Sequence, residues 1–322
     1  MSKLKGVAVI EAIIIIILAI LLFTHYSHTS TTTNKYPMLS SRISAGLLQP
    51  QSFLILNFEP LKKDINNYIA DNNLNLSLFV ENLRDGASFG INANKAFEPA
   101  SLNKLPIAII ILREVEEGKL ALGKPLTIKP EFRDNESGNL FATQINEMSI
   151  RDLLHYMLAE SDNTAFKTLG SQVTLKDLQG LSFYLNYYNR DIDYTSATNN
   201  VFEISPKSTA NLFLSLYLST VLEPEDSELI LEELANSTFD IKKYANLPAN
   251  LTIAHKYGVH FTTNSSSFQD CGIMYIQDSR IFYCIMNSGL ERDKTINAVG
   301  TVLNKIYNYI IEAKKIKDFT VS

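Results

Sequence analysis

The sequence is short of cysteine and carries no excess of basic residues, and each lack removes a class of function. Two cysteines, Cys271 and Cys284, cannot build a disulfide framework or a four-ligand metal site. The histidines, His25, His28, His155, His255 and His260, are scattered without a His-x-x-x-His pair, so neither a catalytic metal nor a cofactor is expected. Lys and Arg number 29 against 34 Asp and Glu, a net charge of −5, with no basic patch interleaved with aromatics; this argues against a nucleic-acid partner. No internal repeat stands out. What remains, 46% hydrophobic and 20% charged over 322 residues, suits one large domain with a sizeable core plus an appendage.

The appendage is N-terminal. Gly6 to Phe23, GVAVIEAIIIIILAILLF, is an 18-residue apolar run broken only by Glu11, about the length of a membrane-crossing helix. Lys3 and Lys5 precede it, so the positive-inside rule puts the N-terminus in the cytoplasm and the rest outside. Neither a small-x-small cleavage site nor a lipobox cysteine follows. The reading is therefore an uncleaved, single-pass anchor over residues 1–23, with a cleaved signal peptide as the rival. Residues 24–50, rich in Ser and Thr, read as a tether. The remaining domain, 51–316, is expected to be extracytoplasmic and monomeric.

In that domain EPLKKDINNYIADN has a helical period, with Leu61, Ile65 and Ile69 on one side. LSLFVENL, a turn at Arg84-Asp85-Gly86, and ASFGIN read as a hairpin. Residues 101–245 are mostly helical in period. Strand patterns return in LTIAHKYGVHF, QDCGIMYIQ and RIFYCIMNS, and a helix closes the chain over 292–315. The expected fold class is α/β (α+β): a mixed antiparallel sheet built from both chain ends (51–100 and 246–316), flanked by helices, with a helical subdomain over 101–245.

Three short stretches carry the candidate chemistry. In FEPASLNKLPIAI, Ser101 and Lys104 are three apart at the head of a run that is apolar all round, and so buried all round. A neutral lysine there could take the serine proton, and the helix N-terminus would stabilise a developing anion. The plain alternative is a Ser101 N-cap with a solvated Lys104; the same spacing at Ser2 and Lys5 shows how little the pattern says alone. In LLHYMLAESDNTAF a helix face stops at Ser161-Asp162-Asn163, either a set of caps and turn formers or a proton relay (Ser161) and a substrate amide holder (Asn163). In AHKYGVHF, Lys256 is either an edge-strand guard or a cation for a substrate carboxylate. There Gly258 permits close backbone approach, and the Val259 N–H could join that of Ser101 in an oxyanion hole.

In this order the stretches resemble the class A β-lactamase family and its D,D-peptidase relatives, whose signature is S-x-x-K, S-D-N and K-[ST]-G. FQDCGIMYI resembles the strand beyond the lysine motif, and the likeness spans about 50 to 315. It implies a serine nucleophile at Ser101, Lys104 as base and Ser161 as relay, with Asn163 and Lys256 positioning the substrate. It also implies a β-lactam or a D-Ala-D-Ala-type peptide as substrate. Two departures stand out. Tyr257 replaces the small hydroxyl residue of the lysine motif, which alters carboxylate recognition or narrows the site. The deacylating glutamate is not evident in YNRDIDYTSATNNVFEISPKS, where Asp191, Asp193 and Glu203 are the candidate bases. Three readings follow: a β-lactamase-like hydrolase, a D,D-carboxypeptidase that deacylates β-lactams slowly, and a catalytically silent tethered binding domain. A turn at Asp278-Ser279 would set Cys271 opposite Met286, leaving the cysteines diagonal, an arrangement that favours two buried free thiols with a bridge as the rival.

Overall fold

The structure, a computed structural model, describes residues 56–187, 203–261, 266–277, 279–289 and 291–321. The expected anchor, the tether, Asp191 and Asp193 lie outside the described residues. Among the described residues no helix is long and apolar enough to cross a membrane. One compact unit runs from Ile55 to Phe319.

Helix α1 (Glu59–Asp71) opens with Pro60 in its first turn and buries Leu61 and Ile65. The hairpin β1 (Leu76–Asn82) and β2 (Ser88–Ile91) follows, closed at Gly86 in the left-handed region. At the far end of the chain come β5 (Thr252–Phe261), β6 (Ser266–Ile276), β7 (Ser279–Ser288) and a helix, Arg292–Val321. The sheet order is β2-β1-β7-β6-β5, so the two chain ends meet where β1 pairs β7. Every pairing is antiparallel, so the sheet is purely antiparallel rather than mixed. Strands β6 and β7 are buried over nearly their whole length because both faces are covered. One face packs Leu61 and Ile65 of α1 and Val299, Val302 and Ile306 of the last helix. The other packs the helical part.

That part is built around α2 (Lys104–Glu116), whose residues from Lys104 to Leu112 are all buried. Burying each large aliphatic side chain contributes about 2 kcal/mol, which fixes the helix as a rigid post. Around it stand the small hairpin β3 (Pro125–Thr127) and β4 (Glu147–Ser149) and, among the described residues, five helices. These are α3 (Ile150–Leu158), α4 (Asn163–Gly170), α5 (Leu175–Leu185), α6 (Pro206–Tyr217) and α7 (Pro224–Ala235); α8 (Ile241–Ala245) packs with the last helix, α9 (Arg292–Val321), on the opposite face of the sheet.

The cysteine expectation is overturned. Ile276 pairs with Ser279, leaving two residues between them, with Gln277 in the left-handed region. The turn thus sits one residue earlier than Asp278-Ser279. Cys271 consequently faces Cys284 rather than Met286, and the two form a disulfide with an S–S distance of 2.06 Å. Directly opposed side chains on adjacent strands are neighbours, whereas diagonal ones are too far apart.

Candidate active site

Ser101 does not cap a helix. It lies in a 3-10 turn, Ala100–Asn103, that leads into α2, and its side chain caps neither element. Its Oγ instead lies 3.0 Å from Lys104 Nζ. Lys104 is 2% exposed, and its amine also donates to the Ser161 carbonyl (2.6 Å) and to Asn163 Oδ1 (2.8 Å), with Ser161 Oγ at 3.2 Å. Carbonyl oxygens only accept. The amine must therefore point two N–H bonds at those two acceptors, which turns its remaining position toward the hydroxyls of Ser101 and Ser161. In the neutral amine that position is a lone pair. Burial lowers the pKa of Lys104 from 10.5 to about 7, against the opposing charges of Asp162 and Asp134. The amine is thus poised as a base at the nucleophile.

The Ser161-Asp162-Asn163 triplet caps a helix and also meets Lys104. Asp162 is the N-cap of α4 and accepts from the Ala165 N–H. Ser161 and Asn163 face Lys104. Ser161 is held at φ 56° and Ala100, just before the nucleophile, at φ 46°. Non-glycine residues in that region cost on the order of 1–3 kcal/mol each, a strain that packing sustains at functional sites.

Lys256 is no edge guard. It is 1% exposed, and its Nζ has no hydrogen-bond partner among the described residues. Burial, then the nearby charge of Lys104, holds its pKa well below the usual lysine range, with Asp270 opposing. The Tyr257 phenol is raised in pKa by burial, with the neighbouring Ser161 hydroxyl opposing, so β5 brings Tyr257 up to the Lys104 cluster. Gly258 packs on the approach to the nucleophile: a Cβ there would lie 2.9 Å from the Pro99 carbonyl and 3.1 Å from Ala100 Cβ. Val259, next along β5, is 40% exposed. The fold therefore gathers Ser101, Lys104, Ser161, Asn163, Lys256, Tyr257 and Gly258. Glu203 is exposed and is not among the hydrogen-bond partners of Lys104. Its neighbour Ile204 bridges Phe97, tying that segment to the stretch ahead of Ser101.

The profile of the beta-lactamase enzyme family matches residues 60–310, which include every one of these groups. The chain belongs to that family. It is a β-lactamase-like serine hydrolase. Among curated relatives, Beta-lactamase VEB-1 of Pseudomonas aeruginosa is 20% identical over 271 residues, spanning 77% of this chain and 89% of that protein. Among solved structures, TLA-3 extended-spectrum beta-lactamase superposes with a TM-score of 0.71 at 18% identity, covering 79% of this chain and all of that one. A PBP-A variant, solved as an acyl-enzyme with penicillin G, gives 0.69 at 21% identity, over 82% of this chain and all of that one. At these identities the superpositions establish a shared fold.

Several residues of this β-lactamase-like site had no signal in the sequence. Gln269 on β6 donates to the Glu98 carbonyl at 3.1 Å and steadies the approach to Ser101. Asp134, in the irregular segment between β3 and β4, accepts from Asn163 Nδ2 at 3.2 Å and pairs with Lys167 at 2.7 Å. This turns the carbonyl end of Asn163 toward Lys104. Its negative charge also favours the protonated amine. Asp134→Asn should therefore lower the Lys104 pKa and move the acid limb of the acylation rate to lower pH, with the plateau changed by less than about threefold. A pH–rate profile checks this; an unmoved limb would show that Asp134 does not act on Lys104.

Proposed function

We propose that this chain is a membrane-anchored, extracytoplasmic serine hydrolase that forms an acyl-enzyme on Ser101 with β-lactams. The observation that carries the reading is the buried Lys104 amine, whose N–H bonds are committed to Ser161 O and Asn163 Oδ1 and whose free side meets Ser101 Oγ at 3.0 Å. Lys104 takes the Ser101 proton as Oγ bonds to the lactam carbonyl carbon. The C–N bond then breaks, and the leaving nitrogen takes its proton through the Ser161 hydroxyl. Backbone N–H groups at Ser101 and Val259 are the proposed oxyanion hole. Water later releases the acyl group, with Asp191, Asp193 or Glu203 as the candidate bases. Residues 1–23 are proposed as the anchor and 24–50 as the tether, which would leave the catalytic domain facing cell-wall peptides.

A D,D-carboxypeptidase is the second reading, favoured by the absence of Glu203 from the hydrogen-bond partners of Lys104. The committed Lys104–Ser101 geometry weighs against a silent binding domain. Intact-mass spectrometry of the full chain with benzylpenicillin tests all three readings. A transient adduct with hydrolysed product supports a β-lactamase, and a lasting adduct with D-alanine release from peptide supports a peptidase. No adduct at all sinks both. In the first two cases Ser101→Ala should abolish the adduct.

A further inference from the structure

Beside Lys256, where a substrate carboxylate would have to be received, the chain places aromatic rings. The Tyr257 ring covers the amine, with Lys256 Nζ 4.7 Å from its centroid. Phe239 leans on Tyr257 at 4.5 Å and stacks on Tyr244 at 5.4 Å with an interplanar angle of 12°. Phe268 closes the wall from behind, 5.5 Å from Phe239 and 6.5 Å from Tyr257. The inner end of this wall lies beside Ser161, and its outer end is open, Tyr244 being 46% exposed. The outer ring of the wall is therefore reachable from solvent.

We propose that this wall is an acyl-donor subsite that accepts an uncharged, apolar substituent beside the scissile amide in preference to a carboxylate. A carboxylate reaching Lys256 would displace the Tyr257 ring from the amine and from Phe239, and would lose hydration against ring faces. Burial and the neighbouring Lys104 disfavour a charged Lys256, so no settled cation offsets that loss. An ester or aryl group forfeits nothing comparable and gains contact with ring faces and edges. The selected substrates are then β-lactams or peptide-like esters and amides whose neighbouring acid group is absent or masked.

The inference rests on the acyl-enzyme reading of Ser101, and a matched pair of probes separates the two. Benzylpenicillin and its methyl ester differ only in that acid group. The rate of Ser101 adduct formation on the full chain is followed by intact mass for each. We expect the methyl ester to react at least as fast as the acid, and Tyr257→Thr to shift the ratio toward the acid by about tenfold or more. Tyr257→Phe, which keeps the ring and loses the hydroxyl, should hold the ratio within about threefold of the parent. A parent preference for the acid of about tenfold or more, or a ratio that Tyr257→Thr does not move, overturns the subsite. If Tyr257→Thr fails to fold, the parent ratio decides alone. Absence of adduct from both probes, in parent and variants alike, overturns the acyl-enzyme reading and the subsite with it.

Discussion

Replacing Lys104 with methionine should slow acylation of Ser101 by at least about a thousandfold, since it removes the only base in contact with the nucleophile among the described residues while keeping a long apolar stem. The parent enzyme should show the reason in its pH profile. With a pKa of about 7, Lys104 is mostly protonated a unit below neutrality and mostly a free amine a unit above. Acylation should climb with pH and level off once the amine is neutral. Stability supplies an independent check. In the unfolded chain Lys104 keeps its proton to about 10.5, and in the folded chain only to about 7. Between those values the unfolded state binds more protons, so this residue makes stability rise with pH across the window. The methionine variant should lose that slope in denaturant melts. A variant that acylates at the parent rate would remove Lys104 from the mechanism.

The second large effect is expected at Asp162, which is fully buried. One carboxylate oxygen caps α4 through the Ala165 N–H at 2.8 Å, and the other accepts from the Leu140 N–H at 2.9 Å. Gly138 lies so close that an added Cβ would fall 2.0 Å from Asp162 Oδ2. A single side chain thus holds together the start of α4, the 138–140 segment and the backbone that carries Ser161. Asp162→Ala should destabilise the domain by about 3 kcal/mol, the sum of a lost cap and a buried amide left unpaired. Removing its charge should also lower the Lys104 pKa, because Asp162 is the larger of the two charges that raise it. Urea melts and the acid limb of the acylation profile read the two effects separately. Unchanged stability would mean that these two hydrogen bonds are dispensable.

How much of this was legible beforehand depends on the range of the interaction that decides each feature. Alternation in LSLFVENL foretold β1, the short apolar run in RIFYCIMNS foretold β7, and the unbroken apolar run after Ser101 foretold a helix buried on all sides. Ser101 and Lys104 were legible for the same reason: residues three apart at a helix start share a face whatever surrounds them. The turn before β7 was misjudged by one residue. That slip hid the Cys271–Cys284 bond, because cross-strand neighbours depend on register and the local pattern tolerates either turn.

By itself, then, the sequence determined the terminal strands, the helical middle and the Ser101–Lys104 pairing, because these are written in short-range periodicity and spacing, while the family was legible as a resemblance of three motifs in order. Tertiary structure alone decided that burial lowers the pKa of Lys104, that Asp134 orients Asn163, and that the Tyr257 ring lies over Lys256. Desolvation and hydrogen bonds between segments far apart in the chain set those properties, and neither exists until the sheet and the helical part have closed on each other.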